Sequence, residues 1–94
     1  MTEVKRITIP YLYELKKKSE PISWLTTYDY PMAVLVEQAG IEMILVGDSA
    51  SMVVYGNSST LPITMDTLIG HCQAVRRGAP NAFVIGDMPF LSYQ

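Results

Sequence analysis

Apolar and polar positions along this chain follow two rhythms, and the switches between them divide it into elements. After Thr8-Ile9-Pro10, residues Tyr11, Leu12 and Leu15 share one face at helical spacing. Proline suits the first helical turn because its missing N–H would be unpaired there anyway. Lys16-Lys17-Lys18 closes this helix, where cations oppose the macrodipole, and Glu20-Pro21 breaks it. Ile22 to Tyr28 is a β-rich run ending on Tyr28-Asp29. Pro31 then opens a helix whose apolar stripe is expected at Met32, Leu35, Val36 and Ala39, with Gly40 as its C′ residue. Glu42 to Val46 reads as a strand buried on both faces, because its apolar run is continuous.

From Ser49 to Ile63 the pattern is that of a loop, with Gly56-Asn57-Ser58-Ser59 and Pro62 as breakers. Loops of that length inside a compact domain are uncommon and usually functional. A third helix is predicted from the N-cap Thr64, with Asp66 in its first turn and Leu68, Ile69, Cys72 and Val75 as its stripe. Arg76-Arg77, Gly78 and Pro80 end it. Ala82 to Ile85 is the third strand, and Met88 to Gln94 is loop.

The order is helix, then β-α-β-α-β, which implies a parallel sheet with crossover helices. Three strands are fewer than a closed barrel of about 250 residues requires, and fewer than the five or so of a small doubly wound sheet. The expectation is therefore an α/β chain in which residues 1–94 are the N-terminal part of one TIM-barrel domain. It would hold an N-terminal helix and the first three strands of a (β/α)8 barrel, truncated after the third.

Composition narrows the class. Half of the 94 residues are apolar, 17% are charged and the net charge is −2, so the chain is globular and offers no electrostatic reason to bind nucleic acid or an anionic membrane. One cysteine, Cys72, excludes an internal disulfide and fits a reducing compartment. No apolar segment follows Met1 to form a secretory signal, and no apolar run is long enough to cross a bilayer, so the expected location is the cytoplasm.

The candidate chemistry lies at the strand ends. Asp29, Asp48 and Asp87 each follow one of the three strands, and in parallel sheets that rim carries the active site. If the second and third strands are neighbours, about 4.8 Å apart, the carboxylates of Asp48 and Asp87 can reach one ion. Two carboxylates, waters and a chelating substrate oxygen suit Mg²⁺. Each aspartate has a second role open to it, as a cap on the turn or helix that follows. Ser49 can offer its hydroxyl or N–H to a substrate carboxylate, or bond its own backbone at the start of a loop. Asp29, just before Pro31, fits a helix start better than a ligand. His71, in mid-helix, and Cys72, on the apolar stripe, fit packing roles, and Arg76 and Arg77 lie at the helix end away from the rim. No GxGxxG, P-loop, HExxH, CxxC or zinc-ligand pattern is present.

A set of motifs is more specific. Thr26-Thr27-Tyr28-Asp29-Tyr30, Val46-Gly47-Asp48-Ser49, Ser59-Thr60-Leu61-Pro62-Ile63-Thr64, His71 through Val75-Arg76-Arg77-Gly78-Ala79-Pro80, and Asp87-Met88-Pro89-Phe90 stand in an order and spacing that resemble the ketopantoate hydroxymethyltransferase family. The similarity runs from about Ile9 to Tyr93. The second and last of these motifs resemble signatures found more widely in the phosphoenolpyruvate mutase and isocitrate lyase superfamily; the TLPIT and AVRRGAP segments narrow the assignment.

The resemblance implies a (β/α)8 barrel, often a homo-oligomeric decamer in bacteria, acting early in pantothenate and coenzyme A synthesis. It implies hydroxymethyl transfer from 5,10-methylenetetrahydrofolate to the 2-oxo acid 3-methyl-2-oxobutanoate, giving 2-dehydropantoate. It further implies that Asp48 and Asp87 are Mg²⁺-side carboxylates and that Asp48, Ser49 and Asp87 contact the 2-oxo acid. The family's substrate-binding lysine, metal-side glutamate and general-base glutamate come later in its barrel, beyond Gln94. No residue here is therefore assigned as base, and the isolated chain is expected to be inactive. Two alternatives remain open at this stage: carbon–carbon lyase or mutase chemistry on an oxo acid, and a truncated, non-catalytic fragment.

Overall fold

The computed structural model describes residues 6–89. In chain order it contains helix α1 (Ile9–Lys17), strand β1 (Trp24–Thr26), helix α2 (Tyr30–Gln38), strand β2 (Met43–Val46), the short helix α3 (Ala50–Val53), helix α4 (Met65–Gly78) and strand β3 (Phe83–Gly86). The strands form one parallel sheet in the order β1-β2-β3. Leu25 stands opposite Ile44, and Leu45 opposite Ile85. Among the described residues no helix is long and apolar enough to cross a membrane.

The helix starts are set by side chains at their N-caps. Thr8 accepts from the Tyr11 N–H at 3.3 Å, Asp29 from the Met32 N–H at 2.9 Å, and Thr64 from the Thr67 N–H at 3.2 Å. Each satisfies a donor that the helix itself leaves orphaned, an effect of about 1 kcal/mol per cap. The C-terminus of α2 passes into Gly40 at φ +84°, a left-handed conformation that glycine adopts without a Cβ penalty.

The core lies between the sheet and the helices α2 and α4, and is built from Ala33, Val36, Ile44, Val46, Leu68 and Val75. Alternation along the strands sends Ile44 and Val46 to this side. The opposite face carries Trp24, which is 56% exposed, beside the half-buried Met43, Leu45, Phe83 and Ile85. α1 lies near the start of the strands, where Ile9, Leu12 and Tyr13 form a groove of about 250 Å³ with Ile22 and Met43.

Five expectations need correction. The strand anticipated over Ile22 to Tyr28 pairs only at Trp24–Thr26. The stripe of α2 is Ala33 and Val36, whereas Met32 and Leu35 are 49% and 58% exposed and Ala39 is also exposed. Close approach of α4 selects the small side chain: a Cβ on Gly78 would lie 2.8 Å from the Ala33 Cβ and 2.6 Å from the Tyr30 carbonyl oxygen. Gly78 thus acts as a contact residue in the last turn of α4 rather than as a stop signal beyond it. On the same helix Ile69 is 45% exposed, while Leu68 and Val75 are buried. Finally, the segment expected to be loop from Ser49 to Ile63 opens with α3. Its return is fixed by the buried Ser51, whose Oγ donates to the Ser59 carbonyl at 2.8 Å and accepts from Asn57 Nδ2 at 3.1 Å. Met88 and Pro89 have no regular structure, as expected, and the remainder of that anticipated loop, 90–94, lies outside the described residues.

Candidate functional site

Parallel pairing of β2 with β3 brings Asp48 and Asp87 to one rim. The Asp87 N–H donates to the Val46 carbonyl at 2.9 Å, which extends the ladder one step beyond β3 and holds Asp87 beside Gly47. A Cβ built on Gly47 would meet Asp87 Oδ2 at 3.2 Å and Ser49 Oγ at 3.5 Å. The Asp87 carboxylate and the Ser49 hydroxyl therefore both pack close to the buried Gly47, an approach that the absence of a side chain at residue 47 permits. Among the described residues no hydrogen bond engages the carboxylate of Asp48 or of Asp87, so neither serves as a cap. Asp48 contributes its backbone instead, its carbonyl accepting from the Ser51 N–H at 3.0 Å as α3 begins. The rim holds two carboxylates; no cluster of three or more His, Cys, Asp or Glu capable of holding a metal occurs among the described residues.

The side-chain donors at this rim, two unengaged carboxylates and a hydroxyl, are all oxygen, the donor type that suits a hard divalent cation that keeps several waters. The third strand-end acid does not join them. Asp29 Oδ1 is committed to the Met32 N–H, the helix-start role its place before Pro31 suggests.

Ser49 does not bond its own backbone. It occupies the N-cap position of α3 without a side-chain cap, and its Oγ lies 2.6 Å from the phenol oxygen of Tyr28. Tyr28, just beyond β1, also packs on the core. Its carbonyl accepts a 2.6 Å hydrogen bond from His71 Nδ1 on α4. Because a carbonyl only accepts, Nδ1 carries a proton, and in the neutral ring Nε2 is left to accept. The Tyr55 hydroxyl stands 2.9 Å from that Nε2, with the two rings edge to face at 5.7 Å. His71 thus joins three segments: the β1–α2 connection, the chain after α3, and α4. Sequence spacing placed His71 one turn from Leu68 and Val75, but gave no sign of its partners, which are 43 and 16 residues away. A cleft of about 440 Å³ opens beside this junction, lined in part by Tyr28, Tyr55, Asp66 and His71. Asp48, Ser49 and Asp87 do not line it.

The remaining candidates take structural roles. Burial pushes the Cys72 thiol up, away from the thiolate form that reacts, and a Cβ on Gly86 would lie 2.9 Å from its sulfur. Arg76 Nη1 donates to the carbonyls of Ala79 at 3.2 Å and Pro80 at 2.9 Å, securing the turn into β3 at the far end of the sheet from the rim.

Comparison with known proteins agrees with the motif pattern. The model of the ketopantoate hydroxymethyltransferase family matches residues 6–94. The 3-methyl-2-oxobutanoate hydroxymethyltransferase of Alkaliphilus metalliredigens is 60% identical over 90 residues, covering 96% of this chain and 32% of that protein. Its namesake from Moorella thermoacetica is 52% identical over 94 residues, covering 100% and 35%. A plant relative, named 3-methyl-2-oxobutanoate hydroxymethyltransferase 1, mitochondrial, from Arabidopsis thaliana, is 49% identical over 90 residues, covering 96% and 26%. The chain spans about a third of the length of the curated relatives it matches. With the family model matching all but its first five residues, the chain belongs to the ketopantoate hydroxymethyltransferase family.

Proposed function

We propose that this chain supplies the metal-side rim of an enzyme that transfers a hydroxymethyl group from 5,10-methylenetetrahydrofolate to 3-methyl-2-oxobutanoate, giving 2-dehydropantoate. The observation that carries the proposal is the placement of Asp48 and Asp87 at the ends of adjacent parallel strands, with carboxylates uncommitted among the described residues and Asp87 packed beside Gly47 and Ser49. Family membership adds the substrate class, through the printed names of relatives at 49–60% identity. The sheet face carrying Trp24, Met43, Leu45, Phe83 and Ile85 supports a (β/α)8 closure, since apolar side chains of that kind fill a barrel interior.

In this proposal Asp48 and Asp87 hold Mg²⁺ and Ser49 hydrogen-bonds the carboxylate of the 2-oxo acid. When bound, Mg²⁺ polarises a keto group and so favours loss of the adjacent C3 proton. Ser49 orients the substrate so that C3 faces into the barrel, where the proton acceptor belongs to the remaining two thirds of the enzyme.

The test uses a full-length chimera in which this segment replaces the first third of the Alkaliphilus metalliredigens protein. It is expected to form 2-dehydropantoate only with both methylenetetrahydrofolate and Mg²⁺ supplied, and Asp48→Ala or Asp87→Ala should reduce that rate by at least about a hundredfold. A well-folded chimera with no folate-dependent product would overturn the assignment. Near-normal rates in both aspartate variants would overturn the metal site alone.

A further inference from the structure

We propose that Tyr28 and His71 are positioning residues for Ser49, acting as a chain of hydrogen bonds that fixes which way the Ser49 hydroxyl donates. The proposal rests on Ser49 binding the 2-oxo acid, as set out above. A serine hydroxyl has one proton to give and two lone pairs. When the Tyr28 phenol donates to Ser49 Oγ across their 2.6 Å contact, the serine proton is left free for a substrate carboxylate. The phenol is the more acidic of the two hydroxyls, which favours this direction, and donation into Oγ polarises the serine O–H further. An unheld serine at the start of α3 would turn back to its own backbone, a competition that the Tyr28 contact prevents.

The position of the phenol depends in turn on the Tyr28 backbone. That residue lies beyond the end of β1, where the sheet no longer fixes it: the last ladder bond on this strand is the Thr27 N–H to the Leu45 carbonyl at 3.0 Å. His71 supplies the missing restraint by donating from Nδ1 to the Tyr28 carbonyl at 2.6 Å. Tyr55, at 2.9 Å from Nε2, holds the ring from its other side. The chain therefore runs from α4 to the β1–α2 connection and on to the rim, with no side chain of His71 or Tyr55 touching substrate.

The experiment measures steady-state kinetics of the chimera with the 2-oxo acid as varied substrate. Tyr28→Phe should raise KM for 3-methyl-2-oxobutanoate about tenfold, with kcat and the folate KM changed less than about threefold. Ser49→Ala should do at least as much, and the double variant Tyr28→Phe/Ser49→Ala should be no worse than Ser49→Ala alone, because Tyr28 acts only through Ser49. At position 71 the two amides separate the ring nitrogens: the Asn amide reaches the place of Nδ1, and the Gln amide that of Nε2. His71→Asn should recover most of the parent KM, whereas His71→Gln should show the same rise as Tyr28→Phe. Thermal melts of each variant identify loss of folding, and the His71→Asn and His71→Gln pair keeps the comparison valid if His71→Ala does not fold. An active parent whose Tyr28→Phe variant keeps its KM overturns the proposal, as do additive effects in the double variant or equal behaviour of the two amides. A parent with no turnover overturns the function assignment, and this proposal with it.

Discussion

Gly78 in the last turn of α4 lies against Ala33 of α2 so closely that a Cβ at residue 78 would stand 2.8 Å from the Ala33 Cβ. The Tyr30 carbonyl oxygen and the Val34 nitrogen, at 2.6 and 3.2 Å from the same point, are backbone atoms and cannot swing aside. Gly78→Ala is therefore expected to destabilise the protein by about 1–3 kcal/mol, the usual cost of overpacking a well-filled contact. Gly70, on the same helix, has nothing within 4 Å of its Cβ position. Gly70→Ala should stabilise by about 0.4–1 kcal/mol, because alanine loses less backbone entropy on folding. Denaturant melts of the two variants in the chimera should shift in opposite directions; a shared direction would mean that the α2–α4 contact is looser than described.

A second anchor of α2, to the turn that follows α4, runs through Glu37. Its Oε1 accepts from the N–H groups of Asn81 at 2.6 Å and Ala82 at 2.8 Å, anchoring the turn that leads into β3. Glu37→Ala leaves both donors without that acceptor and should cost about 2 kcal/mol. Glu37→Gln keeps an oxygen in place and should cost about 1 kcal/mol or less. Equal losses in the two variants would show that charge, rather than hydrogen bonding, carries the contact.

Much of this fold was legible in the sequence because local chemistry and tertiary structure agree. Thr8, Asp29 and Thr64 cap helices in the structure where their residue type and spacing place a start. Continuous apolar runs gave β2 and β3, and their parallel pairing set Asp87 beside Gly47, at the same rim as Asp48. The errors fall where a distant partner decides. The apolar stripe at helical spacing pointed to Leu35 as core, but the close approach of Gly78 gives that place to Ala33. α3 carries a serine without a side-chain cap, so the usual start signal is missing. At the rim, Tyr28, Ser49, Tyr55 and His71 meet through contacts across 16 to 43 residues, which no local pattern encodes.

Acid sensitivity is expected at the start of the sheet. Partial burial of Glu42 works against its charge, but hydrogen bonds from the hydroxyl and N–H of Ser23 outweigh it and hold the carboxyl below its ordinary value of 4.5. A carboxyl depressed in the folded state stabilises the protein above its unfolded value. That stabilisation falls away as pH drops below 4.5 and through the folded value, because the unfolded chain takes up the proton first. Ser23→Ala should therefore lower the denaturation midpoint at neutral pH, and the gap to the parent should narrow as pH is lowered towards about 3. A gap that stays constant across this range would show that Ser23 acts through packing alone.

Gly47 connects the fold to the chemistry most directly. Its backbone lies outside the left-handed region, so alanine is conformationally acceptable there. The new methyl, however, would project to 3.2 Å from Asp87 Oδ2 and 3.5 Å from Ser49 Oγ. The carboxylate must give way by a few tenths of an ångström, which shifts the Asp87 oxygen relative to the Ser49 hydroxyl. A misplacement of about 1 Å at a reacting centre can cost about a hundredfold in rate with the surrounding fold intact, so the smaller shift here is expected to cost about tenfold. Gly47→Ala should thus reduce kcat/KM for the 2-oxo acid by about tenfold and shift the melting temperature by no more than about 2 °C. Wild-type kinetics in this variant would show that the spacing of Ser49 and Asp87 does not govern substrate binding. A large loss of stability with a proportional loss of activity would instead make Gly47 a packing residue.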